Sequence, residues 1–233
     1  MPTQKKKIQL CIPNTGTIHT MTVASMINMV REAGECDIIF DFVSNCLVHE
    51  ARDSQVKNAI KNGVDYLMFL DSDMMPAANT LKSMLDHDKD IISAMCFKRT
   101  PPFQPCFYTI ARLEKNEDGS LNTRMESALA PEHWETRGVL EVEAVGMACV
   151  LIKTSVFQKV ADDNWFFPLP RVGEDITFCM KARNAGFKIY VDLGQNCHHL
   201  GIVPFGKEHY TMALKEYYAD PNNKGKNIFN EFK

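Results

Sequence analysis

Two carboxylates stand one residue apart in the stretch YLMFLDSDMMP, residues 66–76. Asp71 and Asp73, with Ser72 between them, close an apolar run. Carboxylates on alternate residues can share a divalent cation directly or through water. Mg²⁺ or Mn²⁺ held by such oxygen ligands commonly bridges to substrate phosphates. Asp and Ser are also favoured turn residues, so an ordinary turn is the competing reading. The position after a buried strand and before a helix opened by Pro76 favours metal binding.

A second acidic pair, Glu174 and Asp175, follows Gly173 at the head of EDITFCMKARNAGF. The helix dipole stabilises acids in a first turn, which accounts for one of the two. The preceding loop holds Trp165, Phe166, Phe167, Pro168 and Pro170. Aromatic faces beside carboxylates suit a site that grips a sugar ring, and a carboxylate there can take the proton of an attacking hydroxyl. The third group is CHHLG, residues 197–201. Adjacent histidines in an extended chain face opposite ways, so only one of His198 and His199 reaches a given site. Adjacent residues cannot supply a zinc tetrahedron, and no CxxC pair elsewhere completes one. One histidine joining Asp73 on a catalytic cation is the expectation. Two smaller features remain open. The turn Pro13-Asn14-Thr15-Gly16 can cradle a nucleotide base or be an ordinary turn. Arg52 can reach a ribose or phosphate, or pair with Glu50 or Asp53.

Periodicity supplies the elements that must hold these groups. Residues 8–12 read as a strand, and Val23, Met26, Ile27 and Val30 recur at helical spacing up to Gly34. Residues 37–43 read as a strand, 51–62 as a helix stopped by Gly63, and 64–70 as a strand covered on both faces. Leu81, Met84 and Leu85 face inward on the helix begun at Pro76, and 90–95 is a fourth strand. Residues 141–152 read as one strand with Gly146 and Ala148 inside it, 154–160 and 174–185 as helices, and 188–191 as a strand. This alternation predicts an α/β domain, with a mostly parallel central sheet and helices on both faces. In such sheets ligands bind beyond the carboxyl ends of the strands, where Asp71 and Asp73 stand. Residues 97–138 read as irregular loops with a short strand at 106–113, and the polar segment 202–233 as a lid or tail.

Composition narrows the classes. A chain of 233 residues, 45% apolar, supports one large domain or two small ones with a sizeable core. A net charge of −3 lacks the basic footprint of a protein that holds nucleic acid by phosphate contacts. Lys98, Arg99, Arg112, Arg124 and Arg137 read as solvated surface, with a groove for a polyanion as the alternative. No stretch reaches the roughly 20 apolar residues of a membrane span. The apolar run in MPTQKKKIQLCIP is too short for an export signal. Eight scattered cysteines without a CxxC pair fit a reduced, cytoplasmic protein.

These pieces, in this order, resemble a GT-A-fold glycosyltransferase of the family-2-like group of nucleotide-sugar transferases, in particular its short bacterial and phage members. The stretches that carry the likeness are IQLCIPNTG, ARDSQVKNAIKNGVDYLMFLDSDMMP, EAVGMACVLIKTSVF, GEDITFCMKARNAGFKIYVD and HHLG, and they cover most of residues 8–201. The resemblance implies a GT-A (Rossmann-like) domain over residues 1–201, with 97–138 on the acceptor side. It also implies sugar transfer from a nucleoside-diphosphate sugar, UDP-linked by preference, to an acceptor hydroxyl with Mn²⁺ or Mg²⁺. Asp73 and His199 would hold the cation, with Asp71 at the ribose or a metal-bound water. Asp71, Ser72, Asp73, Pro13, Asn14, Thr15 and Arg52 would bind the donor. Asp175 would be the base, supported by Glu174. No acceptor is implied: a saccharide, a lipid-linked sugar, a protein side chain and a modified DNA base all fit.

Two other classes compete. Nucleotidyltransferases and metal-dependent phosphohydrolases also set paired carboxylates on an α/β sheet. Nucleotidyltransferases often carry a glycine-rich, basic loop after the first strand, whereas PNTGTIHT has one Gly and no Lys or Arg. A non-catalytic sugar-binding module is the second rival, and the joint presence of Asp71, Asp73, Glu174, Asp175 and His199 argues against it.

Overall fold

The computed structural model describes residues 5–100, 102–116, 121–127, 138–160, 162–202 and 206–223. Met1–Leu200 and Gly201–Lys233 are separate compact units. The first opens with β1 (Lys6–Asn14), α1 (Thr20–Glu32), β2 (Cys36–Ser44), α2 (Val48–Asn62) and β3 (Tyr66–Leu70). Next come β4 (Met74–Met75), α3 (Thr80–Asp86), β5 (Ile91–Cys96), β6 (Phe107–Tyr108), β7 (Ile110–Lys115) and β8 (Leu121–Glu126). It continues through β9 (Val139–Val142), β10 (Ala144–Val145), β11 (Cys149–Lys153), α4 (Thr154–Lys159), α5 (Glu174–Asn184) and β12 (Ile189–His199). The second unit contains α6 (Lys207–Ala219) and a short 3₁₀ turn, Pro221–Asn223.

The main sheet runs β2-β1-β3-β11-β5-β12-β4, with β9 also paired to β12. β1, β2 and β3 pair in parallel, as do β5 and β12, while β11, β9 and β4 run antiparallel to their neighbours. The sheet is therefore mostly parallel, as the alternation predicts. Helices cover both faces. Met26 and Met29 of α1 and Leu81, Met84 and Leu85 of α3 pack with Ile8, Leu10, Met68 and Leu70. Val56 and Ala59 of α2, Phe157 of α4 and Phe178 of α5 pack with Leu67 and Phe69 on the other face. All five residues of β3 are buried, which is why that strand reads as apolar throughout. Among the described residues no helix is long and apolar enough to cross a membrane.

Three element boundaries differ from the sequence reading. α3 begins at Thr80 rather than at Pro76, because Met74 and Met75 stay extended to pair with His199 and His198. The stretch 141–152 is divided among the end of β9, β10 and β11, with a break at Gly146, whose N–H donates to Cys106 O at 2.7 Å. β12 does not end at Val191 but runs on to His199, so both histidines lie in a strand. Its register shifts between Asp192 and Asn196, around buried Asp192 and Gln195. Ser83 Oγ donates to Asp192 at 2.7 Å and Thr80 Oγ1 to Gln195 Oε1 at 3.0 Å. Satisfied buried polar groups break the apolar pattern by which a strand is recognised. Within the described part of 97–138, the short strand expected at 106–113 is present as β6 and β7, paired antiparallel with β10 and β8, and β8 stands where a loop was expected.

Candidate active site

The Asp71-Ser72-Asp73 segment leaves the carboxyl end of β3 in a turn fixed on three sides. Asp71 N donates to Ala148 O at 2.9 Å, His19 N to Ser72 O at 3.1 Å, and Leu200 N to Asp73 O at 2.8 Å. Parallel β1 and β2 end beside it. A cleft of about 330 Å³ opens there, lined by Pro13, Asn14, Thr15, Cys46, Leu47, Val48, Ala51, Asp71, Ser72 and Asp73. That volume falls within the range of small-molecule sites. A larger recess of about 540 Å³ lies at the opposite end of β1 and β3, lined by Lys6, Asp65, Tyr66, Lys153 and neighbours. It has one carboxylate, whereas the smaller cleft has two, one of them beside His199, so the smaller cleft is the chemically equipped one. Asn14 is partly engaged by its own strand end: its Nδ2 donates to Val43 O at 3.3 Å and its Oδ1 accepts from Gly16 N at 2.9 Å.

His199 reaches this rim from the end of β12. Its Nδ1 lies 2.8 Å from Phe97 O and its Nε2 lies 3.3 Å from Asp73 Oδ2. A carbonyl oxygen only accepts, so Nδ1 carries the proton and turns the Nε2 lone pair toward the carboxylate. Two acceptors that close call for a proton or a cation between them. Neighbouring ligands of an octahedral ion with bonds of about 2.1 Å lie about 3 Å apart, so Asp73 and His199 fit two positions on one divalent ion. Among the described residues no third His, Cys, Asp or Glu joins them. A magnesium-like ion that keeps waters and substrate phosphates as its other ligands needs no more. His198 is exposed, as alternation along a strand requires.

Asp71, in the same cleft, pairs with Arg52 rather than with His199. Arg52, 2% exposed, donates from Nη2 to Asp71 Oδ1 at 2.9 Å and from Nη1 to Glu174 Oε1. Its Cζ sits 5.9 Å from the centre of the Phe69 ring, and among the described residues its Nε has no partner. Neither Glu50 nor Asp53 is the partner of Arg52. Asp53 Oδ1 instead accepts from Phe166 N at 3.0 Å, fastening α2 to the loop ahead of α5. Burial alone depresses the Arg52 pKa, but Asp71, Glu174 and Asp175 outweigh it and hold the guanidinium firmly charged. Burial raises the Asp71 pKa above its ordinary value despite Arg52.

Asp175 occupies the first turn of α5. Burial, then Glu174, push its carboxyl above the ordinary value, against the Ile176 N–H, which donates to Oδ1 at 2.7 Å. One glycine makes room for this carboxylate: a Cβ at Gly173 would lie 2.7 Å from Asp175 Oδ1, so the carboxylate would have to shift. Of the three aromatics in the preceding loop, Trp165 and Phe166 belong to the core. Phe166 stacks on Phe178 with centroids 4.7 Å apart, and Trp165 Nε1 donates to Phe157 O at 3.0 Å. Only Phe167 is exposed, edge-on to His49 at 5.6 Å.

No family model matches the sequence, and no curated protein matches it. Solved structures do. A197 from STIV aligns at TM-score 0.58 with 14% identity, over 84% of this chain and 86% of that one. GalNAc-T7, crystallised with UDP, GalNAc and Mn²⁺, aligns at TM-score 0.50 with 13% identity, over 92% of this chain and 49% of that one. The fold is GT-A-like. The present chain thus spans about half the length of GalNAc-T7. A UDP-glucose pyrophosphorylase aligns at TM-score 0.49, too low to weigh.

On this GT-A-like frame the structure brings Asp71, Ser72, Asp73, Pro13, Asn14 and Thr15 to one cleft. His199 stands at its Asp73 end, and Arg52 links Asp71 to Glu174, the residue before Asp175. Sequence reasoning missed Cys46, Leu47 and Val48, which line the cleft; their signal was position, just past the carboxyl end of β2. It also missed that Arg99 contacts Asp73, with Nη1 3.0 Å from Oδ2. Arg112 pairs with Glu143, and Arg124 with Glu114 and Glu126, so neither is a free groove cation. Arg137 lies outside the described residues.

Proposed function

We propose that this chain is a cation-dependent glycosyltransferase that moves a sugar from a nucleoside-diphosphate sugar, UDP-linked by preference, to an acceptor hydroxyl. The observation that carries the reading is the convergence, at one sheet rim, of the cleft, the Asp73–His199 pair and the acidic head of α5. The shared fold with GalNAc-T7, a protein solved with UDP, GalNAc and Mn²⁺, supports the choice of donor and ion.

Pro13, Thr15, Leu47 and Val48 offer apolar and backbone surface to the base, and Asn14, Asp71 and Ser72 offer polar groups to the ribose. Asp73 and His199 hold Mn²⁺ or Mg²⁺. When bound, that ion neutralises charge on the departing diphosphate, an effect of several kcal/mol on the barrier. Arg52 holds Asp71 and Glu174 at fixed positions on either side of the reaction space. Asp175, at the head of α5 beside Glu174, takes the acceptor proton; a placed base is worth about 10²–10⁴-fold. Its raised pKa makes it a stronger base at neutral pH than a solvated aspartate.

A nucleotidyltransferase is the competing enzyme class, and the glycine-poor, uncharged loop PNTGTIHT speaks against it. Product analysis after incubation with UDP-sugars and Mn²⁺ separates the two. Release of UDP with free or transferred sugar supports the proposal. Formation of UTP and sugar 1-phosphate in the presence of pyrophosphate, without UDP, overturns it.

A further inference from the structure

We propose that Arg99 is a built-in stand-in for the divalent cation: it holds Asp73 while the donor is absent, yields that oxygen when cation and nucleotide enter, and then pairs with the diphosphate. The inference rests on the function proposed above. Arg99 Nη1 lies 3.0 Å from Asp73 Oδ2, the same oxygen that His199 Nε2 approaches at 3.3 Å. The same Nη1 donates to Leu200 O at 3.3 Å, and Leu200 N donates to Asp73 O, so the guanidinium is aimed at the cation position. A guanidinium and a divalent ion repel, so each weakens the hold of the other on one carboxylate oxygen.

The two arginines of this rim are built differently. Arg52 is buried between two acids, whereas the Arg99 side chain is 52% exposed and, among the described residues, has one acidic partner. An exposed single ion pair is cheap to break. The Arg99 backbone, by contrast, is anchored on both sides: Lys98 N donates to Gln104 O at 2.9 Å and Phe103 N to Thr100 O at 2.8 Å. Displacement therefore moves the side chain and not the loop. A released guanidinium next to a bound diphosphate has the planar donor geometry that phosphate oxygens accept. The positive charge thus stays at the rim in both states and changes partner.

The test measures Mn²⁺ affinity by electron paramagnetic resonance of the free ion, with and without UDP, for the wild type, Arg99→Gln and Arg99→Lys. Removing the competitor should tighten Mn²⁺ binding without nucleotide about 2- to 5-fold, the size of an exposed ion pair. The same substitution should weaken UDP binding in saturating Mn²⁺ by about 10-fold, the size of a charge-assisted hydrogen bond. Arg99→Lys should keep Mn²⁺ affinity near wild type. Opposite signs for the two ligands are the expected signature. If Arg99→Gln leaves either affinity unchanged while Asp73→Asn abolishes Mn²⁺–UDP binding, the Arg99 proposal falls and the function stands. If the wild type itself binds no Mn²⁺–UDP, both fall.

Discussion

His199 presents Nε2 to Asp73 Oδ2 at 3.3 Å while its Nδ1 is fixed on the Phe97 carbonyl at 2.8 Å. Residues 126 positions apart in the chain are thereby aligned as donors to one point in space. The alignment depends on β12 continuing through its register shift to reach β4, which carries Met74 next to Asp73. It leads directly to a first prediction. His199→Ala should weaken Mn²⁺-dependent UDP binding at least about 10-fold, while His198→Ala, on the exposed side of the same strand, should leave it unchanged. Calorimetric titration of both variants checks this; equal effects would remove His199 from the cation.

Arg52 ties β3 to α5 through two acids. Arg52→Met leaves Asp71 and Glu174 facing each other without their counter-charge, and the expected loss is about 3 kcal/mol of folding stability. Arg52→Lys should recover little of it, because one ammonium cannot span both carboxylates. Urea unfolding measures both. A loss below about 1 kcal/mol, the range of an exposed pair, would mean that the bridge does not hold these elements together.

Gly173 is the residue that lets the Asp175 carboxylate fold back over the helix start. Gly173→Ala places a methyl 2.7 Å from Oδ1 and must turn that carboxylate aside. Turnover should fall on the order of 100-fold, the usual cost of moving a reacting group by about an ångström, with UDP affinity retained. Single-turnover kinetics beside a UDP titration checks the split; equal loss of both would assign Gly173 to donor binding instead.

The raised pKa of Asp175 has a sign that can be worked through. Folding favours its protonated form, so between the ordinary value of 3.8 and the raised value the folded chain binds more protons than the unfolded one. Stability from this group is therefore greatest at low pH and declines as pH rises through that window. Once ionised, the desolvated carboxylate is a net burden. Asp175→Asn should raise the melting temperature at pH 7, with the gain vanishing below about pH 4, while turnover falls at least about 100-fold. An asparagine variant less stable than wild type at pH 7 would contradict the burial argument.

Much of this architecture can be read from the chain itself, and the exceptions have physical causes. β3 and its Asp71-Ser72-Asp73 terminus are plain because a strand buried on both faces must be apolar and must end where polar groups begin. Gly34 and Gly63, with φ of 78° and 61°, mark the helix ends as expected. β12 was hidden because Asp192 and Gln195 are buried with partners on α3 that no local pattern announces. Arg52 was seen as a site residue, but its partners lie 19 and 122 residues away, beyond any argument from spacing. Trp165 and Phe166 looked like a sugar platform because composition does not tell a core aromatic from an exposed one.

The central claim is a donor site assembled around a cation held by Asp73 and His199. Its most direct test is titration of UDP into the wild type and Asp73→Asn, each with and without Mn²⁺. The account predicts binding by the wild type only with Mn²⁺, and at least about 10-fold weaker binding by Asp73→Asn in the same buffer. UDP affinity that is the same with and without Mn²⁺, and the same with and without the Asp73 carboxylate, would contradict it.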